Sequence, residues 1–157
     1  MISYLRFLLK STNQHGVHSP FVFSYLTKGL YPLKKTYRIE NDPSIRLILS
    51  TIAYFDFKKI EVENEFLQQK IRNHFPHISM NRNHQLADLI ITNNPENLAS
   101  YKNQMHNNSL LILYNLSNRQ RKRSQKVSDF TLVLDFYHTV VFSIRQEQMP
   151  QTFYLRY

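Results

Sequence analysis

Three stretches carry side chains whose type and spacing could do chemistry. The first is His15-Gly16-Val17-His18-Ser19-Pro20. Two histidines three apart could begin a metal site. They straddle a turn, however, and need a third ligand, and the chain has no cysteine to offer. The plainer reading has them hydrogen-bonding a loop to the start of a helix. A further alternative has the histidines and that helix N-terminus facing an anion together. His74 and His77 form another pair at a helix end and read as solvated. The second stretch runs from Asn115 to Ser128 and holds Arg119, Arg121, Lys122, Arg123 and Lys126. A solvated basic helix is the plain reading, and an anion-binding, phosphate-contacting face is the functional one. No aromatic is interleaved there, so bases would find no stacking platform within the run. The third stretch is Lys58-Lys59-Ile60-Glu61-Val62-Glu63-Asn64-Glu65-Phe66, where a strand passes almost directly into a helix. Nucleotide-binding α/β folds place glycines at this junction, because the backbone must turn tightly and approach the ligand closely. Here the only two glycines, Gly16 and Gly29, lie upstream.

The elements that must position these residues follow from periodicity and punctuation. Tyr4, Leu5, Phe7 and Leu8, followed by Lys10, predict an amphipathic helix ending before Asn13. Its polar side holds only Arg6 and Lys10, so packing on its own domain is expected rather than an interfacial membrane helix. Gly16 permits a turn with positive φ. Ser19 is the expected N-cap of a helix that begins at Pro20, buries Phe21, Val22, Tyr25 and Leu26, and stops at Gly29. Residues 31–41 read as a basic, proline-punctuated connector. Asp42 and Pro43 start the next helix, which is apolar nearly all round from Ile45 to Phe55 and should be well buried. Ile60 and Val62 mark a short buried strand, and Asn64 caps a helix from Glu65 to about residue 74. Pro76 breaks that pattern, and 77–80 could be a short edge strand. Residues 87–92 form the clearest buried strand, a helix is expected over 95–103, and Asn107-Asn108 turns the chain into a strand over 109–114. The tail reads as three strands, over 130–135, 139–144 and 152–157, whose short links favour antiparallel pairing.

At 157 residues the chain is expected to be a single domain, with N-terminal helices over 1–57 and an α/β sheet over 58–157. Hydrophobic residues at 42% and aromatics at 13% exclude a disordered chain. The absence of cysteine excludes disulfides and thiolate zinc sites, and fits a reducing, cytoplasmic compartment. Residues 1–10 are too short, and lack the small-residue cleavage pattern, for a signal peptide. No apolar run approaches the roughly 20 residues of a membrane span. The formal charge of +9 favours attraction to nucleic acid, anionic lipid or acidic protein, although a soluble basic protein is the simplest reading.

Helices first, then strand–helix alternation, then a terminal hairpin, describe an α/β sheet with an antiparallel end. This layout resembles that of class I S-adenosylmethionine-dependent methyltransferases. Residues 4–23, with His-Gly-Val-His-Ser-Pro-Phe-Val-Phe, look like the N-terminal signature of a bacterial group of these methyltransferase-like proteins. Residues 107–157 look like the end of the same group. The resemblance implies a reduced Rossmann-like sheet, and S-adenosylmethionine as cofactor if the ancestral site survives. Matching residues 59–75 to the family's second strand and helix makes Glu63 the acid that holds the ribose hydroxyls. Asn93, at the end of the next strand, becomes a second cofactor-binding candidate. On another matching, residues 60–64 are the first strand and Asn64-Glu65 replaces the glycine loop. Both matchings lose the cradle. The family also shows an aspartate where Thr92-Asn93-Asn94 stands, and paired aspartates where Tyr114-Asn115 stands. Strand C-terminal ends are where open α/β sheets bind ligands, so these changes remove obvious general bases and metal ligands.

The expectation is therefore a trimmed, methyltransferase-like domain that no longer transfers methyl groups. It would persist as a binding or interaction module, able to self-associate through an exposed edge or apolar face. One alternative is an active small methyltransferase in which Glu63 holds the ribose and the His15/His18 loop closes over the site. Another is a nucleic-acid binder that uses Arg119 to Lys126. No metal site is expected.

Overall fold

The computed structural model describes residues 2–80, 86–126 and 129–157. Helix α1 (Ile2–Lys10) is followed by a 3-10 turn (Gln14–Gly16). Gly16 has no positive φ; its value is room, since a Cβ there would run into the Thr12 side chain. Helix α2 (Pro20–Ser24) starts as expected, with the Ser19 hydroxyl accepting from the Val22 N–H. It does not stop at Gly29. The chain continues through a π-helical stretch (Tyr25–Leu30) into α3 (Tyr31–Thr36), so the expected connector is mostly helix. A Cβ on Gly29 would lie 2.8 Å from Cγ of the Tyr54 ring, so the glycine serves close packing rather than termination. The π turn, closed by the Tyr31 N–H on the Leu26 carbonyl, widens the backbone just where Pro32 enters.

Helix α4 (Pro43–Phe55) is capped by Asp42, whose carboxylate accepts from the Ser44 N–H at 2.7 Å. It ends on Asp56 in the left-handed region, at φ 54°. Strand β1 (Ile60–Val62) leads into α5 (Glu65–His74), whose N-cap Asn64 accepts from the Leu67 N–H at 2.9 Å. Strand β2 (Ala87–Thr92) and a 3-10 turn (Pro95–Asn97) precede α6 (Leu98–Lys102). Strand β3 (Met105–Leu113), helix α7 (Asn118–Ser124), and strands β4 (Leu132–Asp135), β5 (Val140–Ser143) and β6 (Gln151–Tyr154) complete the chain.

Among the described residues six strands form one mixed sheet in the order β1-β2-β3-β5-β4-β6. Strands β1, β2 and β3 are parallel, and β5 is antiparallel to both β3 and β4. The antiparallel β4–β5 hairpin therefore lies inside the sheet rather than at its end. Strand β6 does not pair with β5. It passes beyond β4 and runs parallel to it, correcting the expectation of antiparallel pairing throughout the tail. Burial explains this placement: Phe153 and Leu155 enter the same core as Leu132 and Leu134 of β4. Thr12 docks outside β6, donating its N–H to the Tyr154 carbonyl and accepting from the Arg156 N–H. Asn107 and Asn108 do not turn the chain. They lie within β3, where the register slips between the Ala87–Met105 and Leu89–Leu110 pairs. The expected edge strand at 77–80 amounts to one bridge between Ser79 and Lys59.

Alternation along the strands divides the core in two. Leu89, Ile91, Leu110, Ile112 and Leu134 pack with Val22, Leu26, Leu30, Ile48 and Ile52 of the N-terminal helices. Ile90, Leu111, Val133 and Phe142 pack on the other face with Leu98, Tyr101, Leu116 and Phe130. Apolar cover on both faces is why the β2 and β3 sequences are near-continuous hydrophobic runs. Among the described residues, no helix is long and apolar enough to cross a membrane.

Candidate functional site

Strand ends sort the candidate residues into two groups. Glu63 and Asn94 follow the carboxyl ends of β1 and β2, with Asn93 beside them and Tyr114-Asn115 after β3. At this edge the Tyr101 hydroxyl, carried by α6, donates to Glu63 Oε1 at 3.2 Å. The same hydroxyl lies 3.3 Å from Thr92 Oγ1. With its own proton on Glu63, it accepts the proton of the threonine. Burial raises the Tyr101 pKa, the Thr92 hydrogen bond opposes that rise, and the Glu63 charge adds to it. The phenol therefore holds its proton and orients Glu63 instead of acting as a base. Tyr114 is pushed up in the same sense by burial, with the Asp42 and Glu63 charges contributing. Asn93 is exposed. The Asn94 carboxamide oxygen accepts from the Glu96 N–H at 2.9 Å, capping the turn that starts α6.

The His15–Ser19 motif borders the far side of the sheet from β1: Gly16 packs on Thr12, which docks at the carboxyl end of β6, and Ser19 reaches the amino edge. In the β3–β5 ladder Leu113 pairs with Val140 and Leu110 with Ser143, so β5 leaves the sheet at the amino ends of the parallel strands. The turn that follows stays there, with the Gln146 N–H donating to Asn107 Oδ1 and the Asn107 amide donating to Glu147. Ser19 Oγ donates to Gln148 Oε1 of this turn at 2.9 Å, and Arg145 sits 4.5 Å over the Phe21 ring. The motif thus anchors the start of α2 on the β5–β6 connection. The His15 end is instead separated from Glu63 by the width of the sheet, since Thr12 flanks β6 and β1 lies five strand spacings of about 5 Å away. The His15 N–H donates to the capping Asn13 carboxamide, and His15 and His18 are both exposed. Among the described residues no three histidines, cysteines or acids gather as a metal site.

The basic run folds as α7, opened by a reciprocal capping box between Ser117 and Gln120. Its five cations do not share one role. Arg121 points inward, 6% exposed, and pairs at 2.8 Å with Asp135, which has no exposed surface. Its guanidinium also accepts the face of Tyr137 at 4.7 Å and lies 5.4 Å from the Phe7 ring centre. This removes Arg121 from the expected anion-binding set. Arg123 reaches Glu96 at 2.9 Å on the surface. Arg119, Lys122 and Lys126 remain exposed, bordering a shallow depression with Arg123.

Tyr101 and Asp135 escape a reading by motif. Each acts through a partner distant in sequence, and the available signal is only position: a tyrosine on the inward side of a short helix, an acid ending an apolar strand. The chain matches no family model, no curated protein and no solved structure.

Proposed function

We propose that this chain is a reduced, methyltransferase-like α/β domain that no longer transfers methyl groups and serves as a binding module. One observation carries the reading: among the described residues β1 is the outermost strand on its side of the sheet, and it enters α5 through Glu63-Asn64 without a glycine. Doubly wound sheets bind their cofactor in the crevice where strand order reverses between two halves. Among the described residues only the single Lys59–Ser79 bridge lies beyond β1, in place of a second half of the sheet that would wall such a crevice. The chemistry of the junction supports the same conclusion. Asn64 already caps the helix start, and Tyr101 already holds one oxygen of the Glu63 carboxylate that a ribose would need.

The test is a transfer assay with radiolabelled S-adenosylmethionine and fractionated protein, nucleic-acid and small-molecule extracts. The proposed reading gives no label above a heat-denatured control. Transfer that Glu63→Ala abolishes would establish the enzyme instead.

A further inference from the structure

Helices α1 and α7 come from opposite ends of the sequence and share one surface. Helix α1 turns Phe7 inward, where it packs against Tyr137 and Tyr154. That orientation leaves Leu5 54% and Leu9 87% exposed, one helical turn apart. Arg6 and Lys10 repeat the same spacing beside them. A cleft of about 660 Å³ separates the two helices, with Arg6, Leu9 and Lys10 on one wall and Lys122 and Gln125 on the other. Lys122 also borders the depression formed by Arg119, Arg123 and Lys126, so the basic surface is continuous across α7. Arg6, Lys10, Arg119, Lys122 and Lys126 make no ion pair among the described residues. The sequence offered too few cations for an interfacial α1, with only Arg6 and Lys10; the fold brings the α7 cations alongside.

Exposed aliphatic side chains set among unpaired cations match the two layers of an anionic bilayer surface. Aliphatic groups enter the headgroup–acyl boundary while lysine and arginine meet lipid phosphates. A nucleic acid would use the cations but would leave Leu5 and Leu9 facing water, since stacking needs rings rather than aliphatic chains. Tyr4, the exposed ring nearby, is already engaged edge-on with Tyr137 at 5.0 Å. We propose that the α1–α7 face docks on anionic lipid bilayers. This inference is independent of the methyltransferase-like reading.

The test is co-sedimentation of the full chain with phosphatidylcholine vesicles, with and without phosphatidylglycerol. Binding should require phosphatidylglycerol and fall with added salt. Lys10→Gln/Lys122→Gln should weaken partitioning about 25-fold, at about fivefold for each cation lost. Leu5→Ser/Leu9→Ser should weaken it about tenfold or more with the charge unchanged. These side chains are exposed, so the variants should melt with the parent; should one melt early, Arg119→Gln/Lys126→Gln repeats the charge test within the basic run alone. Sedimentation that is no greater with phosphatidylglycerol overturns the proposal. So does a leucine double variant that binds as the parent does, because the face is then only a polycation. Tight, leucine-independent binding of a single-stranded oligonucleotide that displaces the vesicles would also overturn it, in favour of nucleic acid.

Discussion

Asp135 closes β4 beneath the protein surface, and three donors hold its carboxylate. They are the Arg121 guanidinium at 2.8 Å, the Gln125 amide, and the Tyr137 N–H at 2.7 Å. Burial pushes the Asp135 pKa above the ordinary carboxylate value, against the pull of the Tyr137 N–H, the Arg121 charge and Gln125. Arg121→Met leaves this acid buried without its counter-charge, and should lower unfolding free energy by about 3–5 kcal/mol in urea titrations. The pH dependence has a definite sign. A raised folded pKa stabilises below the unfolded value and loses that contribution as pH rises through the folded one, so Asp135 does not make the fold acid-labile. Glu40 has the opposite sign. The Lys70 hydrogen bond at 2.6 Å lowers its pKa, burial opposes this, and His74 adds to the lowering. Its contribution is present above the ordinary carboxylate pKa and is lost as pH falls through the depressed value. Glu40→Gln should therefore cost about 1.5–3 kcal/mol at neutral pH, a difference that shrinks in acid. Chemical denaturation of both proteins across pH measures it.

At the scale of elements, local signals were legible and opposed signals were not. Ser19, Asp42 and Asn64 each act as the N-cap expected of them, because capping is decided within four residues. Helix α5 has the expected ends for the same reason. Gly29 looked like a stop because glycine usually is one. What decides its role is the Tyr54 ring opposite it, on another helix. The two readings differ in the sign of one substitution. A mid-helix Gly→Ala change with free space stabilises by about 1 kcal/mol. Crowding against Tyr54 should instead make Gly29→Ala destabilising by about 1–3 kcal/mol, read from thermal or urea unfolding. Asn107-Asn108 failed in the same way: a polar pair in sequence became a register slip only because β2 runs alongside. The pairing of β6 was also nonlocal. Short links suggested the nearest neighbour, whereas the buried Phe153 and Leu155 carried the strand past it to β4.

On the scale of the whole molecule, the sheet has an apolar core on both faces and two dissimilar ends. The amino end holds the Ser19–Gln148 anchor. The carboxyl end holds Glu63, Tyr101 and Thr92, with the Arg121–Asp135 pair beyond the hairpin. Glu63 could be singled out from its place after a strand. Its engagement by Tyr101 could not, since those residues meet only when α6 folds back on the sheet. The basic run was visible as composition, but which of its cations face water depended on the Asp135 at its back. The lack of glycine at the β1–α5 junction needed no structure, and the edge position of β1 gives that lack its consequence. Isothermal titration calorimetry of the intact chain with S-adenosylmethionine and S-adenosylhomocysteine addresses that consequence most directly. We predict no saturable heat at millimolar ligand. Saturable binding of micromolar affinity, lost in Glu63→Ala, would contradict it.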